Sequence, residues 1–158
     1  MRKIKVGQFD AIITIFNAVG HLRKSDFEKT MRNIHRNLNK NGIYVFDIIN
    51  LSNVLNADMS KWSLERTKKV GDTSVRELQH SIIDKTGILR SYTTFYEQKG
   101  LNRPKASHCE ITLQLYTAKE LRAMLEKNRF EVLSQSGMDF SKFSEKESDR
   151  ILTVARKL

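Results

Sequence analysis

Two apolar runs separated by a single amphipathic helix constrain this chain more than any other feature. Phe9-Asp10-Ala11-Ile12-Ile13-Thr14-Ile15-Phe16 is almost continuously apolar and rich in β-branched residues, with Gly7 before it and Asn17-Ala18-Val19-Gly20 after it. A strand buried on both faces of a parallel sheet reads this way. Ser25-Asp26-Phe27-Glu28 then has the spacing of a capping box, which predicts a helix start. Phe27, Met31, Ile34 and Leu38 recur at i, i+4, i+7 and i+11, an apolar stripe that should end before Asn41-Gly42. Ile43-Tyr44-Val45-Phe46-Asp47-Ile48 is a second buried strand. Strand, helix and strand with short connections make a βαβ unit, so the two strands should be parallel with a right-handed crossover.

Further along, the period changes. After a polar stretch around 51–63, Ser74–Ile83 and Ile88–Glu97 flank Asp84-Lys85-Thr86-Gly87, a turn that closes a hairpin. Cys109, Ile111, Leu113 and Leu115 alternate with Glu110, Thr112, Gln114 and Tyr116, as on a half-exposed antiparallel strand. No linker composition sets this meander apart, so it reads as an insertion, about 60–116, within one domain of residues 1–158. Thr117-Ala118-Lys119-Glu120 repeats the capping-box spacing, Leu121, Met124 and Leu125 supply an apolar face, and Phe130-Glu131-Val132-Leu133 begins another strand. The connection from there to Ile151-Leu152-Thr153-Val154-Ala155 has no helical period, which predicts an antiparallel last pair.

With 158 residues, 39% of them hydrophobic, and one Pro and one Cys, the chain can bury a single core without a cystine framework. No apolar run approaches the roughly 20 residues of a membrane helix, and nothing behind Met1-Arg2-Lys3-Ile4-Lys5 resembles a secretory signal. The expectation is a cytoplasmic protein with a reduced Cys109. The formal charge of +10 raises the question of nucleic acid. It is spread evenly, however: residues 1–64 carry ten Lys/Arg against five Asp/Glu, and residues 65–158 carry eighteen against thirteen. Lys29, Arg32 and Arg36 share one helix face, better explained as a solvated face than as a phosphate-binding one. Metal hydrolysis, serine hydrolysis and P-loop chemistry lack their minimum motifs, and no metal ligand set is expected. Among the four histidines, His21 stands out. It follows the first strand at the carboxyl edge, where open α/β sheets bind ligands.

Phe9–Leu22, the helix after it and Asn41-Gly42-Ile43-Tyr44-Val45-Phe46-Asp47 resemble the fourth strand, following helix and fifth strand of class I S-adenosylmethionine-dependent methyltransferases. Leu115–Leu121, Phe130–Val132 and Arg150–Lys157 resemble that family's last helix, sixth strand and antiparallel seventh strand. The resemblance implies an α/β fold, a partial Rossmann-like sheet of strands four to seven with an inserted antiparallel β meander. It also implies that the family's glycine-rich cofactor loop and its acidic ribose and adenine residues are missing here. Met1-Arg2 resembles the tail of an Asp-Met-Arg adenine motif. The chain is therefore expected to be a C-terminal portion, incompetent alone. In the family the first strand pairs with the fourth, so Phe9–Phe16 should present an open apolar edge. Through it the chain is expected to form a homo-oligomer or to accept a complementing N-terminal half.

By the same resemblance, S-adenosylmethionine would lie with its methionine side against Phe16, Asn17 and Ala18, largely through backbone. Gly20, His21 and Leu22 would face the transferred methyl, with His21 the first candidate for a base. The meander would form a cap for a small-molecule acceptor. Arg90, Tyr92 and Tyr116 are its leading binding candidates, beside Arg66, His80, Tyr96 and Trp62. The family often has Gly where Asn128-Arg129 stand, and a left-handed Arg there would cost on the order of 1 kcal/mol. A second expectation is a non-catalytic interaction module that assembles through the first-strand edge and the basic helix face.

Overall fold

A computed structural model describes residues 4–57 and 60–158 of the chain. The Met1-Arg2 resemblance therefore lies outside the described residues. Two compact units are present, Met1–Asp58 with Leu113–Leu158, and Met59–Thr112.

The first unit contains strand β1 (Phe9–Thr14), a short 3-10 turn (Ala18–His21), helix α1 (Lys24–Asn37), strand β2 (Leu38–Ile49) and helix α2 (Leu51–Asn56). The chain re-enters it for helix α3 (Ala118–Lys127) and strands β7 (Phe130–Ser136) and β8 (Arg150–Lys157). Its sheet runs β1-β2-β8-β7. β1 and β2 are parallel, and β8 is antiparallel to both β2 and β7, as the strand grammar requires.

Several boundaries differ from the sequence expectation, each for a local reason. β1 stops at Thr14, and most of it is exposed: Phe9 is 41% and Ile13 63% accessible. Among the described residues it is an edge strand paired with β2 alone, so its apolar residues lack the two-sided cover that the run suggests. The predicted Ser25 capping box does not form. The Arg23 carbonyl already accepts from the amides of Asp26 and Phe27, at 2.8 and 2.9 Å, which draws Ser25 inside the first turn. Glu28 pairs instead with Lys127 at 3.1 Å. α1 ends at Asn37, and Leu38 is buried as the first residue of β2 rather than as the end of the helical stripe. The left-handed residue there is Asn41 (φ 62), while Gly42 answers to space, since a Cβ on it would meet the Asn39 carbonyl at 3.0 Å.

Phe27, Thr30, Met31 and Ile34 form the buried face of α1, and Leu121, Met124 and Leu125 that of α3. The C-terminal end of α3 meets α1: the Asn128 amide, which donates to the Met124 carbonyl at 2.7 Å, also reaches the Met31 sulfur at 3.8 Å, and Lys127 donates to Glu28 at 3.1 Å. Beneath them the Phe27 ring stands edge-on to Phe46 at 5.6 Å, and Tyr44 stacks on Phe46 at 4.8 Å. Fully burying each such side chain stabilises the fold by about 1.5–3 kcal/mol. The Thr117 capping box is present, with its hydroxyl accepting from the Glu120 amide and the Glu120 carboxylate accepting from the Thr117 amide.

The second unit is a sheet of β3 (Lys61–Val70), β4 (Thr73–Ile83), β5 (Ile88–Lys99) and β6 (Lys105–Gln114), in that order. The β4–β5 hairpin turns at 84–87, where the Asp84 carboxylate accepts from the amides of Thr86 and Ile88. β3 lies in and beyond the stretch taken as polar. Its Lys, Arg, Glu and Thr residues hide the strand because it is exposed along nearly all of its length. β6 is not half-exposed as its alternation suggests: residues 105–112 are open to solvent, Ile111 is 41% accessible, and burial begins at Leu113.

Candidate functional site

β1 and β2 point their carboxyl ends the same way, and the residues beyond those ends form the candidate site. β1 leads into Ile15, then Phe16 (φ 60) and Asn17 (φ 59), two consecutive left-handed residues that are not glycine. Such pairs are disfavoured sterically and concentrate at functional turns. Gly20 lies buried in the following 3-10 turn. A Cβ there would meet the Gln114 carbonyl, Ile48 and Leu113 at 3.4 Å each, so the turn is drawn tightly against the unit.

The Asn17 side chain holds this turn from inside. Its Oδ1 accepts from the Ile49 amide and from Arg150 Nη2, each at 3.0 Å. Arg150 opens β8 and also donates from Nε to Asp47 Oδ2 at 2.8 Å, with Nη2 donating to the same oxygen. Asp47 is completely buried in β2, and its Oδ1 has no partner among the described residues. One residue past β2, the buried Asn50 accepts from the Ser52 amide and donates to the carbonyls of Glu145 and Ser148, which ties down the 137–149 loop. That loop and Arg150 line a cavity of about 470 Å³ with Met138, Lys142, Glu147 and Asp149 among its walls.

Phe16, Asn17, Ala18 and His21 thus fall on one short segment. Phe16 is 80% accessible, His21 is exposed, and Ala18 is half-buried. Tyr116 belongs to the same unit, fully buried, its ring 5.8 Å from Phe27 and its amide carbonyl bonded to the Leu51 amide at 3.1 Å. Burial pushes its phenol well above the usual range, with Glu120 and Glu28 adding to the shift, and the hydroxyl has no partner among the described residues. Arg90 and Tyr92 lie in the other unit, on β5, where Tyr92 stands in register with His80, itself bonded to the Ser63 hydroxyl at 3.0 Å. Arg90 reaches Asp84 at 3.4 Å. Trp62 and Arg66 belong to the opposite face of that sheet by strand alternation, and Arg66 pairs with Glu77.

Sequence reasoning passed over Asp47, Asn50 and Arg150. The available signal was Asp47 itself. A carboxylate between Phe46 and Ile48 in a buried strand must find a cation, and Arg150 begins the strand paired beside it. Among the described residues no group of three or more His, Cys, Asp or Glu is placed to hold a metal, and no helix is long and apolar enough to cross a membrane.

No protein-family model matches the chain, and no curated protein matches it in sequence. Solved structures do match. An S-adenosylmethionine-dependent methyltransferase from Clostridium acetobutylicum superposes with a TM-score of 0.80 at 16% identity, over 99% of this chain and 61% of that one. The CcbJ methyltransferase from Streptomyces caelestis gives 0.80 at 17% identity, over 99% and 65%. CalS10, an amino pentose methyltransferase from Micromonospora echinaspora solved with S-adenosylmethionine bound, gives 0.75 at 14% identity, over 99% and 62%.

The chain has the fold of these methyltransferases over the part it spans. That part is about three fifths of their length. With the order β1-β2-β8-β7, β1 is an open edge of the sheet among the described residues.

Proposed function

We propose that the chain is the C-terminal part of an S-adenosylmethionine-dependent methyltransferase for a small-molecule acceptor, and that it acts once further strands complete the cofactor site. The observation that carries this reading is the strained Phe16-Asn17 turn at the carboxyl end of an edge strand, on a fold shared with methyltransferases. The residues present fit one side of the cofactor. The turn presents main-chain groups and the exposed Phe16 ring, while Gly20 keeps the next turn close to the unit. When bound, S-adenosylmethionine supplies an electrophilic methyl group on a sulfonium. In this reading Phe16, Asn17 and Ala18 hold the methionine side through backbone, and His21 takes the acceptor's proton if one must leave. Methyl transfer depends chiefly on aligning the nucleophile with the methyl, so positioning by the chain is the principal requirement. Arg90 and Tyr92, on an exposed sheet face of the second unit, bind the acceptor in this reading. Amino-sugar acceptors, as the CalS10 name gives for that protein, are the first class to try.

Titration calorimetry with S-adenosylhomocysteine tests the reading. The chain alone should bind weakly, and the same chain extended upstream through its own coding sequence should bind. An extended chain with no affinity would refute it. In the extended protein, His21→Ala should lower turnover at unchanged cofactor affinity, and unchanged turnover would remove the base role.

A second reading draws on the edge itself. Ile13, Ile15 and Phe16 are exposed, and Ile4, Val6, Phe9, Ala11, Ile12 and Ile34 line an adjoining groove of about 380 Å³. Long apolar edges invite strand pairing. Here β1 pairs with a second copy or with a separate complementing segment, and the chain serves as an assembly module.

A further inference from the structure

We propose that Arg150 is a positioning residue. Acting from Asp47 onto Asn17, it holds Phe16 and Asn17 in their left-handed form and so keeps the carboxyl end of β1 preorganised for a ligand. The ligand's identity rests on the functional reading above; the clamp rests on its own geometry. Three sheet segments meet in it. Asp47 is fully buried in β2, Arg150 opens β8 directly opposite Ile49, and Asn17 follows β1.

The guanidinium spans two acceptors at once: Nε and Nη2 donate to Asp47 Oδ2, and Nη2 also donates to the Asn17 amide oxygen. The single, freely rotating ammonium of lysine does not reproduce this rigid planar arrangement of two nitrogens. The same Asn17 oxygen also accepts from the Ile49 amide. With the Asn17 side chain engaged inward and its main-chain carbonyl accepting from the Gly20 amide at 2.8 Å, the neighbouring Phe16 ring is left facing outward. Phe16 is 80% accessible with φ 60, so its strained conformation gains nothing from packing. A conformation that costs energy and exposes an aromatic ring needs a constraint from elsewhere, and the clamp supplies a side-chain constraint beside the turn's own main-chain hydrogen bonds and the packing at Gly20. Ordering such a turn before binding spares the ligand that cost.

Amide hydrogen exchange on the whole chain tests the clamp. Arg150→Lys keeps a cation beside Asp47 but gives up the reach to Asn17. The expected result is at least tenfold faster exchange at the amides of Gly20 and Ile49, with α3 and the β4–β5 hairpin unchanged. Asn17→Gly separates conformational preference from clamping: glycine accepts the left-handed form freely, yet it should accelerate the Ile49 amide as much as Asn17→Ala does. Unchanged exchange at Gly20 and Ile49 in Arg150→Lys would overturn the proposal, and so would uniform acceleration across the unit, which marks Arg150 as a general stabiliser. In the upstream-extended chain, Arg150→Lys should weaken S-adenosylhomocysteine binding about tenfold at an unchanged melting temperature. If the unsubstituted extended chain binds none, the functional reading fails, and the exchange experiment still decides the clamp.

Discussion

Arg129 combines exposure with a left-handed backbone (φ 65) just after α3, at the place where a glycine would be free of strain. Arg129→Gly should raise stability by about 0.5–1 kcal/mol, read as a higher urea midpoint at constant slope. The Asp47–Arg150 pair lies at the other extreme. Arg150→Met leaves a fully buried carboxylate without its cation and should cost about 3 kcal/mol or more, whereas Arg150→Lys should cost far less. Both residues were legible to different degrees. The Asn128-Arg129 pair could be singled out because a helix end carries a local signature. Arg150 could not, because its importance comes from a partner 103 positions away. His35 shows the same limit. It sits on the side of α1 that looks polar in sequence, yet its ring meets Phe130 edge-on at 5.4 Å and its buried Nε2 has no partner among the described residues. Burial holds its pKa below the ordinary imidazole value, with Lys157 and Arg129 acting in the same direction against a hydrogen bond at Leu158. Because the folded state favours the neutral ring, the contribution is present above the unfolded imidazole pKa and is lost as pH falls through the usual imidazole range toward the lowered folded value. Denaturation midpoints measured at about pH 7.5 and about pH 5.5 should therefore fall on acidification, and His35→Gln should flatten part of that slope.

Among the elements, the start of α3 and the turn of the β4–β5 hairpin were readable because their signals are local: the Thr117 capping box and the Asp84–Gly87 turn each close within a few residues. Thr117→Ala should cost about 1 kcal/mol and fray α3 first, visible as faster exchange at the amides of Glu120 and Leu121. The start of α1 and the existence of β3 were not readable. In the first case a main-chain carbonyl, at Arg23, took the place of the expected side-chain cap; in the second an exposed strand needed no apolar alternation. β1 shows both outcomes. Its apolar run marks a strand, and its parallel pairing with β2 follows from the βαβ order, but its exposure follows from its position in the sheet. If the open edge pairs, sedimentation velocity should show species above the monomer, and Ile13→Lys should return them to monomer without lowering the melting temperature. A monomeric unsubstituted chain with fast-exchanging amides across Ala11–Ile13 would sink the pairing idea.

For the molecule as a whole, strand and helix order in sequence was enough to anticipate an α/β sheet with an antiparallel last strand and an added meander, and the superposition on methyltransferases agrees with it. Order is legible because hydrophobic period is a property of each segment by itself. The sequence also carries the Phe16–His21 segment to the carboxyl end of β1, since covalent continuity keeps the residues after a strand close to its end. Other features were decided only by tertiary structure. The division into two compact units, the burial of Tyr116 within one of them and the placement of Arg90 and Tyr92 on a sheet face of the other depend on which surfaces meet. The clamp of Asp47, Arg150 and Asn17 depends on it most. Its three residues are 30 and 103 positions apart, each is ordinary in its own segment, and their chemistry arises because β8 inserts beside β2 in the sheet and carries a cation to a buried carboxylate.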